Sequence, residues 1–120
     1  MTGRVVLITG GNRGIGLATA QRFAAAGYQV AVTARSGSAE DADGILVVKC
    51  DVTDTDSVNA AVDEIEETLG NVEILVSNAG ITKDGLTLKM SDESFESVID
   101  ANLTGGFRVA RRVVKSMLRA

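Results

Sequence analysis

The stretch Thr9-Gly10-Gly11-Asn12-Arg13-Gly14-Ile15-Gly16 decides the fold. It follows four apolar residues, Val5-Val6-Leu7-Ile8, and opens a helix-period pattern that stops at Gly27. A short continuous apolar run rich in β-branched residues reads as a strand covered on both faces, as in a parallel sheet. The glycines therefore stand where a strand turns into a helix, and the first amides of that helix have no intrahelical partner. Such a turn is an anion site, and glycine lets a pyrophosphate come close to the backbone. The spacing is Gly-x3-Gly-x-Gly rather than the commoner Gly-x-Gly-x2-Gly. In it Gly10 takes the tight turn, Gly14 the close approach and Gly16 the packing of helix on strand. A bare glycine cluster would be only a turn; the strand–turn–helix context favours a nucleotide cradle.

Working outward, the first helix runs from Gly14 to Ala26 and meets a second strand, Gln29 to Ala34. Strand, helix and strand make a βαβ unit with a right-handed crossover. The end of that second strand chooses between dinucleotides: an acid there binds a ribose 2′-hydroxyl, whereas an arginine suits a 2′-phosphate. This chain has Arg35 and no acid before Glu40, and Arg13 in the glycine loop supplies a second guanidinium. Two solvated loop arginines are the plain alternative; together, at these positions, they point to NADP(H).

A polar loop, Ser36 to Gly44, leads to a third strand, Ile45 to Cys50, and then to Asp51-Val52. Thr53 with Asp56 has the spacing of a capping box for a helix that buries Val58, Ala61, Val62, Ile65 and Leu69. Its acids Asp63, Glu64, Glu66 and Glu67 read as a solvated face. A fourth strand, Val72 to Ser77, ends in Asn78-Ala79-Gly80. With strand order 3-2-1-4 the fold is α/β, a Rossmann-like doubly wound parallel sheet. Its crevice opens beside strand 1, where the order reverses, between the glycine loop and Asn78-Ala79-Gly80. After a loop carrying Lys83 and Lys89, Ser91 caps one long helix with apolar positions at Phe95, Val98, Ile99, Leu103, Phe107, Ala110, Val113, Val114, Met117 and Leu118. Asn102 falls on that face as a buried amide in need of partners. More than one apolar stripe on this helix implies a second packing partner besides the sheet.

Composition narrows the classes. The 120 residues are 45% hydrophobic and 23% charged, as in an ordinary globular domain. A net charge of −4 argues against nucleic acid and anionic membrane, and no apolar run has the length of a membrane span. No leader pattern is apparent at Met1-Thr2-Gly3-Arg4. Cys50 is the single cysteine, a core residue suited to a reducing cytoplasm. Without histidine, zinc-type metal sites and Ser-His or Cys-His nucleophiles are not expected.

Thr-Gly-x3-Gly-Ile-Gly after strand 1, Asp51-Val52, Ser77-Asn78-Ala79-Gly80 and Asn102 occur in the order found in the short-chain dehydrogenase/reductase family, which this chain resembles. Gly-Gly-Asn-Arg-Gly-Ile-Gly, Ser-Asn-Ala-Gly-Ile and Ala-Asn-Leu-Thr-Gly resemble most the 3-oxoacyl-acyl-carrier-protein reductases of actinobacterial type. The resemblance covers nearly all of the chain but only about the first half of the family's domain. It implies that residues 1–120 are an NADP-binding half-domain, with Gly10, Gly11, Asn12, Arg13, Gly14, Ile15, Gly16 and Arg35 on the cofactor. It gives Asp51 the adenine amino group, the Val52 backbone the ring, and Asn78, Ala79 and Gly80 the adenosine half. Asn102 would hold a helix bend and a water beside the catalytic lysine. The substrate would be a 3-oxoacyl group on acyl carrier protein, and the last helix would face a second subunit.

The same resemblance exposes a gap. Family members protonate the nascent alkoxide from a tyrosine in Tyr-x3-Lys, with a serine orienting the carbonyl. Here the sole tyrosine is Tyr28, followed by Gln29-Val30-Ala31-Val32, at the wrong end of strand 2. The expectation is a cofactor-binding half that is inactive alone and marginally stable or self-associating. Two alternatives stay open: a non-catalytic NADP-binding or interaction module, and a short-chain reductase acting on a small ketone, steroid or sugar.

Overall fold

A computed structural model of the chain describes residues 3–11, 14–35, 44–78 and 89–120. Among the described residues the order is β1 (Val5–Ile8), α1 (Gly14–Ala25), β2 (Gln29–Ala34), β3 (Ile45–Lys49), α2 (Thr55–Thr68) and β4 (Ile74–Val76). After β4 come α3 (Asp92–Ile99), a π-helical turn (Asp100–Thr104) and α4 (Gly105–Arg119). All pairings are parallel, in the order β3-β2-β1-β4, with Ile8 opposite both Val32 and Val76. The strand order expected from the sequence is the one observed.

Period-two alternation divides the core. Val5, Leu7, Ala31 and Val48 face α2 and α4, meeting Val58, Val62, Ile65, Val109 and Val113. Val6, Ile8, Val30 and Val32 face α1, where Ala20 is buried and Phe23 and Ala24 pack partly buried. β1 is buried along its whole length, which is why its sequence shows no apolar–polar alternation. Cys50 belongs to the core as expected, and burial pushes its thiol up to about 11.

Three local expectations change. The cap of α2 is Asp54, whose carboxylate accepts from the amides of Asp56 and Ser57, not Thr53. Thr53 is engaged elsewhere: its hydroxyl and its amide both donate to Asp51 Oδ1, at 2.6 and 3.0 Å. The acidic face of α2 is not wholly solvated. Arg112 of α4 reaches Asp63 at 2.8 Å and Glu66 at 2.6 Å, and the Arg112 and Glu66 side chains are only 12% and 16% exposed.

The third change concerns the last helix, which is interrupted. The amide of Gly105 donates to the carbonyl of Asp100, five residues back, and this wider turn resets the face that follows. Ala101, Gly105, Val109, Val113 and Ser116 point inward. Phe95, Ile99, Leu103, Phe107, Val114 and Leu118 form an exposed apolar stripe. Asn102 lies exposed within the turn, not buried on the inner face. The larger apolar side chains stand on the outer side, so hydrophobicity alone marks the wrong face as the inner one.

Candidate functional site

The sheet's order reverses at β1, whose neighbours are β2 and β4, and the candidate residues gather beyond the carboxyl ends of these strands. Thr9 and Thr33 are buried there, at the ends of β1 and β2. Gly10 donates to Thr33 Oγ1 at 3.2 Å, and Gly11 donates to the Thr33 carbonyl at the same distance. On the other side, the amide of Asn78 donates to Thr9 Oγ1 at 2.9 Å, and its side-chain Nδ2 donates to the Gly10 carbonyl at 3.2 Å. The turn is thus anchored by both neighbours of β1.

The glycines differ in what they permit. Gly10 takes φ 66°, so the chain reverses there in a conformation that side chains disfavour. A Cβ on Gly11 would lie 2.5 Å from Val32 Cγ1. A Cβ on Gly16 would lie 2.5 Å from the Gly10 carbonyl oxygen and 2.6 Å from Asn78 Nδ2, so only glycine lets α1 sit this close to the turn. Gly14 is the reverse case: φ is +60°, and nothing described lies within 4 Å of where its Cβ would be. It opens α1 with bare backbone facing open space. Ile15 beside it is 81% exposed, and the first turn of α1 carries no acid to offset the positive end of the helix. Asn12 and Arg13, the other two residues of this loop, lie outside the described residues, as do Ala79, Gly80 and the loop containing Lys83.

A second cluster forms at the ends of β2 and β3. Arg35 is exposed at the end of β2. Asp51 follows β3 by two residues, and its carboxyl is held below its ordinary 3.8, mainly by the two Thr53 hydrogen bonds and further by the charges of Arg35 and Arg108. Both Thr53 donors converge on Oδ1, which leaves Oδ2 directed to no donor among the described residues. The Val52 carbonyl accepts from Arg108 Nη1 at 2.9 Å. Val52 Cγ2 lies where a Cβ on Gly105 would come within 2.7 Å, so the start of α4 presses on this turn.

The structure therefore joins Gly10, Gly16 and Asn78 by direct contact, sets Arg35 near Asp51, and brings the π-helical turn of Asn102 against Val52. Sequence reasoning missed the supporting roles of four residues. Thr9 and Thr33 left a signal, as hydroxyls ending otherwise apolar strands; Thr53 was misread as a cap. Arg108 left none, because its partners Asp100 and Val52 are defined only by the fold. Tyr28 packs edge-on against Phe23, with ring centroids 5.1 Å apart, at the start of β2 and so at the opposite end of the sheet. No described helix is long and apolar enough to cross a membrane.

Residues 4–120 match the short chain dehydrogenase family. The chain is 58% identical over 114 residues to the 3-oxoacyl-[acyl-carrier-protein] reductase MabA of Mycobacterium avium, covering 95% of this chain and 44% of that protein. It is 36% identical over 126 residues to the reductase FabG of Escherichia coli, covering 98% of this chain and 50% of the relative. Among solved structures, an actinorhodin polyketide ketoreductase with NADPH superposes with a TM-score of 0.91 at 34% identity, over 99% of this chain and 51% of that one. The ligand-free aldohexose dehydrogenase of Thermoplasma acidophilum gives 0.89, also at 34% identity, over 99% and 46%. The chain spans about half the length of the curated relatives it matches. The chain belongs to the short-chain dehydrogenase family, and its parallel sheet is that family's Rossmann-type fold.

Proposed function

We propose that residues 1–120 form the NADP(H)-binding part of an NADPH-dependent 3-oxoacyl-acyl-carrier-protein reductase. The observation that carries the reading is the cradle at the switch point. Gly14 presents bare backbone at the positive end of α1, held against the sheet by Gly16, while Arg35 stands at the end of β2 with no acid beside it in sequence. Those features fit a dinucleotide whose pyrophosphate meets α1 and whose 2′-phosphate meets Arg35, with Arg13 as its second partner. Asp51 Oδ2 is suited to accept from the adenine amino group, and we assign Asn78, with Ala79 and Gly80 that follow it in sequence, to the adenosine half of the cofactor. Such a cofactor supplies the hydride; the protein's part is to bind it, orient it and keep its phosphates paired.

The substrate class rests on the named relatives, which are acyl-carrier-protein reductases at 58% and 36% identity. The exposed stripe of Phe95, Ile99, Leu103, Phe107, Val114 and Leu118 suits a second subunit, and the single buried cysteine suits the cytoplasm. Of the family's catalytic group this sequence carries only Asn102, and its one tyrosine is Tyr28. We therefore expect cofactor binding without appreciable turnover by these 120 residues. That same observation supports a second reading, a nucleotide-binding module with no chemistry of its own.

Isothermal calorimetry with NADPH and NADH tests the assignment. A charge-assisted contact to the 2′-phosphate is worth about 1.5–3 kcal/mol, so NADPH should bind about tenfold tighter or more. Arg35→Ala combined with Arg13→Ala should bring the two cofactors to parity. Equal binding of both by the parent chain, or no heat with either, would overturn the reading.

A further inference from the structure

Arg108 joins two parts of the site that the sequence keeps far apart. Its Nη1 donates to the Val52 carbonyl at 2.9 Å, and its Nη2 lies 2.8 Å from Asp100 Oδ1. The Arg108 side chain is 18% exposed, against 43% for that of Asp100, so most of the arginine is enclosed between α4 and the turn after β3. Two nitrogens of one planar group serve the two partners, which fixes the angle between them. A lysine, with one tetrahedral nitrogen on a flexible stem, would not.

What the fork joins gives it a role. Val52 belongs to the Asp51–Thr53 turn, where the Asp51 carboxylate is pinned by Thr53. Asp100 begins the π-helical turn that carries Asn102. A π turn is a marginal conformation that needs outside support, and such turns recur at functional sites. Gly105, at the end of this one, is packed so closely on Val52 that a methyl group would not fit, so the turn has little room to move independently of Val52. Arg108 also adds to the positive field at Asp51, behind the Thr53 hydrogen bonds and the charge of Arg35.

We infer that Arg108 is a positioning residue that locks the adenine-side turn to the π-helical turn, so that adenine occupancy is transmitted to the backbone around Asn102. The inference rests on the nucleotide reading above. It adds a residue with no contact to the cofactor whose loss would uncouple the two ends of the cofactor site.

The probe is adenosine 2′,5′-bisphosphate, which carries only the adenine end of the cofactor, added to the isotopically labelled 120-residue chain. In the parent chain the amide resonances of residues 101–104 should shift as the site fills. Arg108→Met should weaken binding about fivefold, the low end of measured couplings between sites, and abolish that shift. Asp100→Ala, which removes the acceptor for Nη2 and leaves the Val52 hydrogen bond in place, should keep affinity within about twofold and still abolish the shift. If Arg108→Met fails to fold, Asp100→Ala alone decides. A purely structural role would lower the melting temperature and leave the response of residues 101–104 intact in the folded variant, which would overturn the inference. Binding to the parent without any response at residues 101–104 would overturn it while sparing the nucleotide reading. No binding of the probe to the parent would overturn both.

Discussion

Asn78 donates its side-chain amide to the Gly10 carbonyl at 3.2 Å, tying the end of β4 to the turn after β1. The bond is solvent-exposed, whereas the neighbouring one, from the Asn78 amide to the Thr9 hydroxyl, ends on a residue 1% exposed. Asn78→Ala should therefore cost only about 0.5–1.5 kcal/mol in urea denaturation. Thr9→Val strands a backbone donor and should cost about 1–3 kcal/mol. The reverse order of losses would mean that the exposed bond, not the part-buried one, holds the two strand ends together.

Gly14 and Gly16 should separate binding from folding. Gly14→Ala meets no neighbour and bears only left-handed backbone strain, about 1–2 kcal/mol, yet it puts a methyl group where the phosphates are expected. Gly16→Ala drives a methyl group into the Gly10 carbonyl and Asn78, and overpacking of this kind costs about 1–3 kcal/mol or more. NADPH titrations beside thermal melts should find Gly14→Ala folded but poor at binding, and Gly16→Ala poor at both. Unimpaired NADPH binding by folded Gly14→Ala would remove Gly14 from the cradle.

Ser116 is fully buried, and its hydroxyl accepts from the amide of Val72 at 2.7 Å, where the chain turns into β4. Ser116→Ala leaves that buried amide without its partner and should cost about 1–3 kcal/mol, read as a lowered urea midpoint with unchanged slope. A midpoint equal to the parent's would mean that the amide finds another acceptor.

Acid should weaken the α2–α4 contact. Arg112 holds the Glu66 carboxyl below its ordinary 4.5, so in this range the unfolded chain binds more protons than the folded one. The contribution is complete above 4.5 and is lost as pH falls through the lowered value of the folded state. Glu66→Gln should reduce stability at pH 7 and flatten the acid limb of a stability–pH curve. An acid limb as steep as the parent's would assign it to other carboxylates, Asp51 among them.

What was legible in the sequence was whatever depends on near neighbours along the chain. The run Val5–Ile8 before Gly10 announced a buried parallel strand, and helix and strand spacings marked the elements, because periodicity and glycine spacing are local properties. Gly16 was correctly read as a packing glycine for the same reason. The order around β1 follows only once those elements are taken as a doubly wound sheet. The failures came where tertiary contacts compete with local rules. Thr53 had the right spacing for a cap, but the Asp51 carboxylate engaged it, and Asp54 took the cap instead. Asn102 was placed on the buried side because an uninterrupted helix was assumed, and a π turn has no signature in hydrophobicity. The ion pairs of Arg112 and the hydrogen bond from Arg108 to the Val52 carbonyl join residues dozens of positions apart, with nothing in the sequence to pair them.

β1 is made first and completed late. One of its edges can pair with β2 once the first βαβ unit has been synthesised, but Thr9 and Ile8 wait for Val76 and Asn78, about 70 residues downstream. At about 5–20 residues per second, the ribosome leaves this central, wholly apolar strand with an open edge for about 4–14 seconds. The nascent chain is thus most open to aggregation in the segment that later becomes its most protected, and a chaperone that recognises short β-branched apolar runs would find its best purchase at Val5–Ile8.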